Sequence, residues 1–103
     1  MTNIRISHYE IEVLNYFLKG DDLKELSPKE IDFNLKLGIE KIIDIFLDLE
    51  LKGFLKWINL SLIELDLERS TKDIYQEVYD STAQLTNAGK DILEEFRSKQ
   101  QAA

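Results

Sequence analysis

Three carboxylate side chains in the middle of the chain are the first residues whose types and spacing suggest chemistry. Glu40, Asp44 and Asp48 lie four residues apart, so they would share one face of a helix. Such a face could hold a divalent cation weakly. Two or three carboxylates on an exposed helix rarely complete the roughly six oxygen ligands that these ions require. A solvated acidic face is the commoner arrangement, and we therefore predict no metal site and no cofactor.

The only histidine offers little support for catalysis. His8 falls in the first turn of a predicted helix, and no nucleophile, glycine-rich phosphate loop or metal-ligand spacing accompanies it. Because the sequence contains no cysteine, it has no thiolate nucleophile and no Cys-based zinc site. We therefore predict that the protein is not an enzyme.

Length and charge limit the classes of function further. A chain of 103 residues predicts a single domain, 1–103. Twenty acidic against 13 basic residues give a formal charge of −7, which repels nucleic-acid phosphates at long range, although a local basic patch could still bind DNA. No apolar run approaches the roughly 20 residues of a membrane span. The first residues also lack the apolar stretch of a signal peptide, so we expect no membrane contact and a cytoplasmic location.

Capping motifs and apolar spacing predict three helices in the first half of the chain. Capping boxes of the S-x-x-E form begin at Ser7 and at Ser27, and Gly53 offers a stop for the third helix. Apolar residues recur at helical spacing after each start. The predicted helices are about 8–19, 28–36 and 39–52.

The second half of the chain predicts a β-hairpin and a last helix. A β-prone run that begins at Phe54 alternates in part with the period of two that is typical of a half-buried strand. Residues 75–85 could be the returning strand, but residues 70–73 could instead cap a short helix, so 72–80 stay open between strand and helix. The predicted hairpin region is about 54–85, and Thr86 caps a helix at about 87–98.

The two boundaries of the predicted hairpin region, with the third helix and with the last helix, resemble a known family. The residues of the first boundary are Leu49, Lys52, Gly53 and Phe54. The residues of the second boundary are Leu85, Thr86, Ala88 and Gly89. Both resemble the ends of the wing in winged-helix domains of MarR- and PadR-type regulators. The resemblance implies an α+β fold, mainly α with a small β-hairpin, in the order α-α-α-β-β-α. It also implies a third helix that reads DNA, and a dimer.

The predicted recognition helix is unusual for a protein that reads DNA. Where these families often place Arg, Ser or Thr, this chain has Asp44 and Asp48, with Glu40 on the same face. A carboxylate can accept a hydrogen bond from cytosine, but the surrounding phosphates repel it. A DNA-binding transcriptional regulator of this type is therefore the alternative function. The candidate DNA contacts are Lys29, Lys36, Lys41, Arg69 and Lys72.

Surplus apolar surface favours a protein partner instead. The apolar residues of the third helix cover an arc of about 200°, twice what one buried face needs. Monomeric domains seldom leave such a ridge exposed, although other segments of the chain could cover it. Aromatic residues in the hairpin region add surface of the kind enriched at interfaces, unless they pack within that region. We therefore predict a small regulatory module that acts through protein contacts or as a homodimer. The candidate interface residues are Ile43, Leu47, Leu51, Trp57, Tyr75 and Tyr79.

Overall fold

The computed structural model describes residues 6–20, 22–58 and 71–101. This part of the chain is mainly helical, with two small antiparallel sheets, which agrees with the predicted α+β class. The helices are α1 (His8–Phe17), α2 (Pro28–Leu35), α3 (Ile39–Leu51), α4 (Thr71–Asp80) and α5 (Asn87–Gln101). The strands are β1 (Leu18–Lys19), β2 (Asp22–Leu23), β3 (Leu55–Trp57) and β4 (Ala83–Leu85).

Both predicted capping boxes are present. At the start of α1 the backbone N–H of Glu10 donates to Ser7 Oγ at 3.2 Å, and the Glu10 carboxylate accepts from the backbone N–H of Ser7 at 3.1 Å. Ser27 and Glu30 make the same reciprocal pair at α2, where Pro28 occupies the first helical position. Each pair satisfies two backbone donors that a helix start would otherwise leave without partners.

A short hairpin shortens the first helix relative to the prediction. The predicted helix 8–19 ends at Phe17, because Leu18 pairs with Leu23, and Lys19 with Asp22, in the sheet of β1 and β2. Strands of two residues are too short to show any alternation in sequence, so this hairpin was not predicted.

The other helix bounds lie close to the predicted ones. Helix α2 ends one residue before the predicted 36, with Lys36 in the left-handed conformation at φ 56°. Helix α3 ends one residue before the predicted 52, and Gly53 follows at φ 82°. Helix α5 starts at the predicted residue 87 and extends to Gln101.

The predicted hairpin region contains a helix. Its two ends pair as expected, with Leu55 opposite Leu85 and Trp57 opposite Ala83, and Leu26 forms a bridge to Ala83 from the other side. Between these ends the chain forms α4, so the helical alternative for 72–80 is the one that the fold adopts. Residues 59–70 of the predicted hairpin region lie outside the described residues.

The hydrophobic core forms around α3. Phe46 lies between Phe17 of α1 and Trp57 of β3, with ring centroids 5.9 Å and 5.7 Å away. The remaining core comes from every helix. Its fully buried members include Val13, Leu14, Ile31, Ile42, Ile43, Leu49 and Leu93.

The junction of α3, β3 and α5 is held by one threonine. Thr86 Oγ1 donates to the carbonyl of Gly53 and accepts from the backbone N–H of Gly89 at 3.0 Å, so it caps α5 as predicted. The backbone N–H of Thr86 also donates to the carbonyl of Phe54. These bonds place the start of α5 directly against the end of α3.

Candidate functional site

The solvent side of α3 is the surface that carries the residues singled out by sequence. One side of α3 packs into the core, which leaves the other side in contact with solvent. At about 100° per residue, Leu51 falls on the helical wheel between Glu40 and Asp44. We call the exposed residues of this side the α3 face. Its members are Glu40, Lys41, Asp44, Asp48 and Leu51.

The α3 face is negatively charged, and the two lysines nearest its carboxylates interact with residues of α1. The Lys41 ammonium lies 4.9 Å from the centre of the Tyr9 ring, in a cation–π arrangement. Lys52 Nζ, just past the end of α3, is 2.8 Å and 2.6 Å from the two carboxylate oxygens of Glu10. The charge of Lys52 is therefore neutralised by α1, and the carboxylates of the α3 face dominate.

The pair of Glu10 and Lys52 is largely withdrawn from solvent. Glu10 is only 6% exposed. Burial by itself would raise the pKa of Glu10, but hydrogen bonds from Lys52 and from Ser7 outweigh burial and lower this pKa below its ordinary value. The ionised pair connects the start of α1 to the end of α3 and so helps to set the position of the α3 face.

The predicted apolar ridge of α3 is only partly at the surface. Ile43 is fully buried and Leu47 is partly buried, whereas Leu51 is 85% exposed. Helix α4 packs against both α2 and α3, so α3 is covered on more than one side, which accounts for its wide apolar arc. Of this ridge, Leu51 is the residue most available to another molecule.

The three aromatic residues of the predicted interface pack against the core. Trp57 stacks on Phe46, and Tyr75 and Tyr79 are partly buried beside the same cluster. Tyr79 also donates from Oη to Asp32 Oδ2 at 2.9 Å. Trp57 Nε1 is buried and has no hydrogen-bond partner within the described part of the chain. These residues serve packing within the protein, and a role for them at an interface stays a prediction.

The candidate DNA contacts are scattered or lie among acids. Lys29 Nζ is 3.9 Å from Asp80 Oδ1, and Lys36 is exposed at the end of α2. Lys41 is on the α3 face between acidic neighbours. Arg69 lies outside the described residues, and of Lys72 only the backbone, in the first turn of α4, is described.

The residues considered for metal binding or catalysis form no such site in the part of the chain that the structure describes. Within the ranges that the structure describes, no group of three or more His, Cys, Asp or Glu side chains is placed to hold a metal ion. His8 is exposed and pairs with Glu12 in the next turn of α1, with 2.8 Å between His8 Nε2 and Glu12 Oε1. No helix in those ranges is long and apolar enough to cross a membrane.

On α2 an apolar side chain is exposed and an acidic one is buried, which the sequence analysis did not predict. Phe33 is 82% exposed, whereas its neighbour Asp32 is only 8% exposed. The signal was present, since Asp32 lies four residues after the buried Pro28 and one after the buried Ile31, on the inner face of α2. An aspartate on that face needs partners inside the protein, and the partners of Asp32 lie on two other elements.

Comparison of the chain with protein-family models, with curated proteins and with solved structures finds no match. The function must therefore be inferred from the α3 face and the elements that position it.

Proposed function

We propose that this protein is a non-enzymatic winged-helix module that regulates by contacting another protein through the α3 face. The order of elements supports the fold assignment. A pair of helices joined by a tight turn, α2 and α3, is followed by the antiparallel strands β3 and β4 and then by α5. The bridge from Leu26 to β4 is consistent with a third strand position in a wing sheet. Helix α4 would be an addition between the two wing strands.

The observation that carries the functional proposal is the combination of charge and exposure on α3. An exposed leucine, Leu51, follows Asp48 by about one turn at the end of the face that carries Glu40 and Asp44. Protein interfaces often combine an apolar anchor with neighbouring charges, and the row of carboxylates favours a basic partner surface. The same carboxylates would repel the phosphates of DNA, and the nearby Lys52 is neutralised by Glu10.

Charge reversal on the α3 face tests this proposal. We expect the double variant Asp44→Lys, Asp48→Lys to lose at least about tenfold in affinity for a partner isolated with the wild-type protein, because two complementary charge contacts become repulsive. The matched control is Asp91→Lys, Glu94→Lys on exposed positions of α5, which changes the net charge equally and should leave the affinity unchanged. Titration calorimetry at two salt concentrations measures both.

The alternative, DNA binding, gives the opposite result in a parallel assay. Electrostatic binding to duplex DNA is strongest at low salt. If the wild-type protein retained duplex DNA at low salt, and the lysine variant on α3 bound it more tightly while binding no protein, the protein-contact proposal would be wrong. Equal affinity of the wild-type protein and both double variants for the protein partner would also rule out the α3 face.

A further inference from the structure

A single buried carboxylate joins three parts of the fold. Asp32 Oδ1 accepts the backbone N–H groups of Leu37 at 2.8 Å and Gly38 at 3.0 Å, both in the turn between α2 and α3. Asp32 Oδ2 accepts the hydroxyl of Tyr79 on α4 at 2.9 Å. The turn that starts α3 and the helix that packs over α2 and α3 therefore share one acceptor group.

The start of α3 depends on this carboxylate. Gly38, the residue before α3, has φ 97° and provides no side-chain cap. The amides of Leu37 and Gly38 find no backbone acceptor in the described part of the chain, so Asp32 Oδ1 is their partner there. Hydrogen bonds to a charged acceptor are stronger than neutral ones, and losing them would leave a helix start with unsatisfied donors.

Helix α4 depends on the same carboxylate. Val78 is buried in the core, and Lys29 and Asp80 form an exposed, long ion pair between α2 and α4. Such a surface pair contributes little. Burial raises the pKa of Tyr79, and the neighbouring Asp32 raises it further, so the Tyr79 hydroxyl keeps its proton and remains a donor. The hydrogen bond from Tyr79 to Asp32 is thus a partly buried polar attachment of α4 to α2.

We propose that α4 and Asp32 form a conformational coupling device, in which docking of α4 orders the α2–α3 turn and release of α4 loosens it. When Tyr79 departs, the Asp32 carboxylate is no longer held at Oδ2 and can rotate away from the turn amides. The start of α3, which carries Glu40 and Lys41, then loses its fixed position. Only the consequence for partner binding rests on the proposed function of the α3 face; the coupling itself does not.

Coupling of this kind is reciprocal. A protein that grips the α3 face and orders the start of α3 would also hold α4 in its docked position. Conversely, any event that pulls α4 away, acting through the chain between β3 and β4, would weaken the contact at the α3 face. The device would thus regulate the same surface that we propose as the contact site.

Hydrogen exchange of single backbone amides, followed by NMR on the free protein, tests the coupling. The variant Tyr79→Phe keeps the ring and removes the hydroxyl. We expect protection of Leu37 and Gly38 to fall about tenfold, together with that of the α4 amides, because a hydrogen bond to a charged acceptor is lost. The matched control, Tyr75→Phe, removes a hydroxyl from the same helix that has no hydrogen-bond partner among the described residues. It should change neither region.

A second variant loosens α4 without touching Asp32 or its donor. Val78→Ala removes buried methyl groups where α4 packs into the core, and coupling predicts that Leu37 and Gly38 again lose protection. The proposal is overturned if either variant loosens α4 alone, if Tyr79→Phe loosens neither region, or if the core amides of Phe17 and Leu93 exchange faster by the same factor, which would indicate global unfolding. Hydrogen exchange is measured on the free protein, without a partner. Its result therefore tests the coupling even if the charge-reversal experiment on the α3 face fails.

Discussion

At the scale of single residues, the contact between Glu10 and Lys52 shows how one side chain takes on two tasks. The Glu10 carboxylate completes the capping box of α1 and also accepts both short hydrogen bonds from Lys52. Removing one partner of a mostly buried ion pair leaves the other charge without compensation, which costs more than the pair contributes in total. Lys52 is partly exposed, so water can recover a part of this cost.

We expect Glu10→Gln to lower the free energy of unfolding at neutral pH by about 1–3 kcal/mol, because Lys52 loses its carboxylate partner. The matched control is Glu12→Gln, which should cost less than about 0.5 kcal/mol, because the Glu12 side chain is more exposed and pairs with His8 at the surface. Urea unfolding at neutral pH measures both.

The free energy of unfolding of Glu10→Gln should depend less on pH in the acid range than that of the wild-type protein. Because the folded-state pKa of Glu10 is lowered from its ordinary value of 4.5, its contribution to stability is complete above that value and is lost as the pH falls through the folded-state pKa. The difference between the wild-type protein and Glu10→Gln should therefore shrink in acid. A difference that stayed constant down to pH 2 would contradict the proposed role of the carboxylate.

At the scale of elements, Gly53 before β3 and Gly89 after β4 are required for different reasons. Gly53 has positive φ and open space around its Cα, so it is required for its backbone conformation. Gly89 has no positive φ, but a Cβ there would overlap the carbonyl oxygen of Phe54. The first glycine serves conformation and the second serves packing.

We expect Gly89→Ala to destabilise the protein by about 1–3 kcal/mol, because overlap with a backbone atom outweighs the gain in helix propensity of about 1 kcal/mol. Gly53→Ala should cost about 1 kcal/mol through the left-handed conformation. Asparagine separates the two cases. It should be better tolerated than alanine at Gly53, because it adopts positive φ, and worse at Gly89, because it is larger. Thermal unfolding of the four variants measures their stabilities. The same ranking of alanine and asparagine at both sites would contradict this explanation.

At the scale of the whole molecule, the two most exposed large apolar side chains of the described residues lie on separate helices. Leu51 on the α3 face and Phe33 on α2 are 85% and 82% exposed. Their similar exposure makes Phe33 a matched control for Leu51, because only Leu51 lies on the α3 face. If protein contact runs through that face, the two positions should behave differently.

We expect Leu51→Asp to abolish partner binding, or self-association if the partner is a second copy, and Phe33→Asp to leave it within about twofold. Neither variant should change the free energy of unfolding by more than about 0.5 kcal/mol, since both side chains are exposed. Light scattering at micromolar concentration and titration with the isolated partner provide the readouts. Loss of binding in Phe33→Asp alone would move the contact surface to α2.

Local signals predicted most helix bounds, and non-local packing accounts for the differences. The boxes at Ser7 and Ser27 and the cap at Thr86 act within three or four residues, so their outcome is readable from spacing. The start of α1 was predicted correctly, but its end was not, because pairing of Leu18 with Leu23 competes with the last helical turn. The choice between strand and helix for 72–80 was decided by the burial of Val78 and its neighbours against α2 and α3.

The sequence alone determined the local conformations of this protein and the acidic character of the α3 face, because helix caps and side-chain periodicity depend on residues a few positions apart. Only the tertiary structure decided which side chains share a partner. Lys52 meets Glu10 across 42 positions, and Tyr79 meets Asp32 across 47. Such contacts depend on how whole elements pack, and packing buried Ile43, left Leu51 exposed and placed α4 against the turn that starts α3.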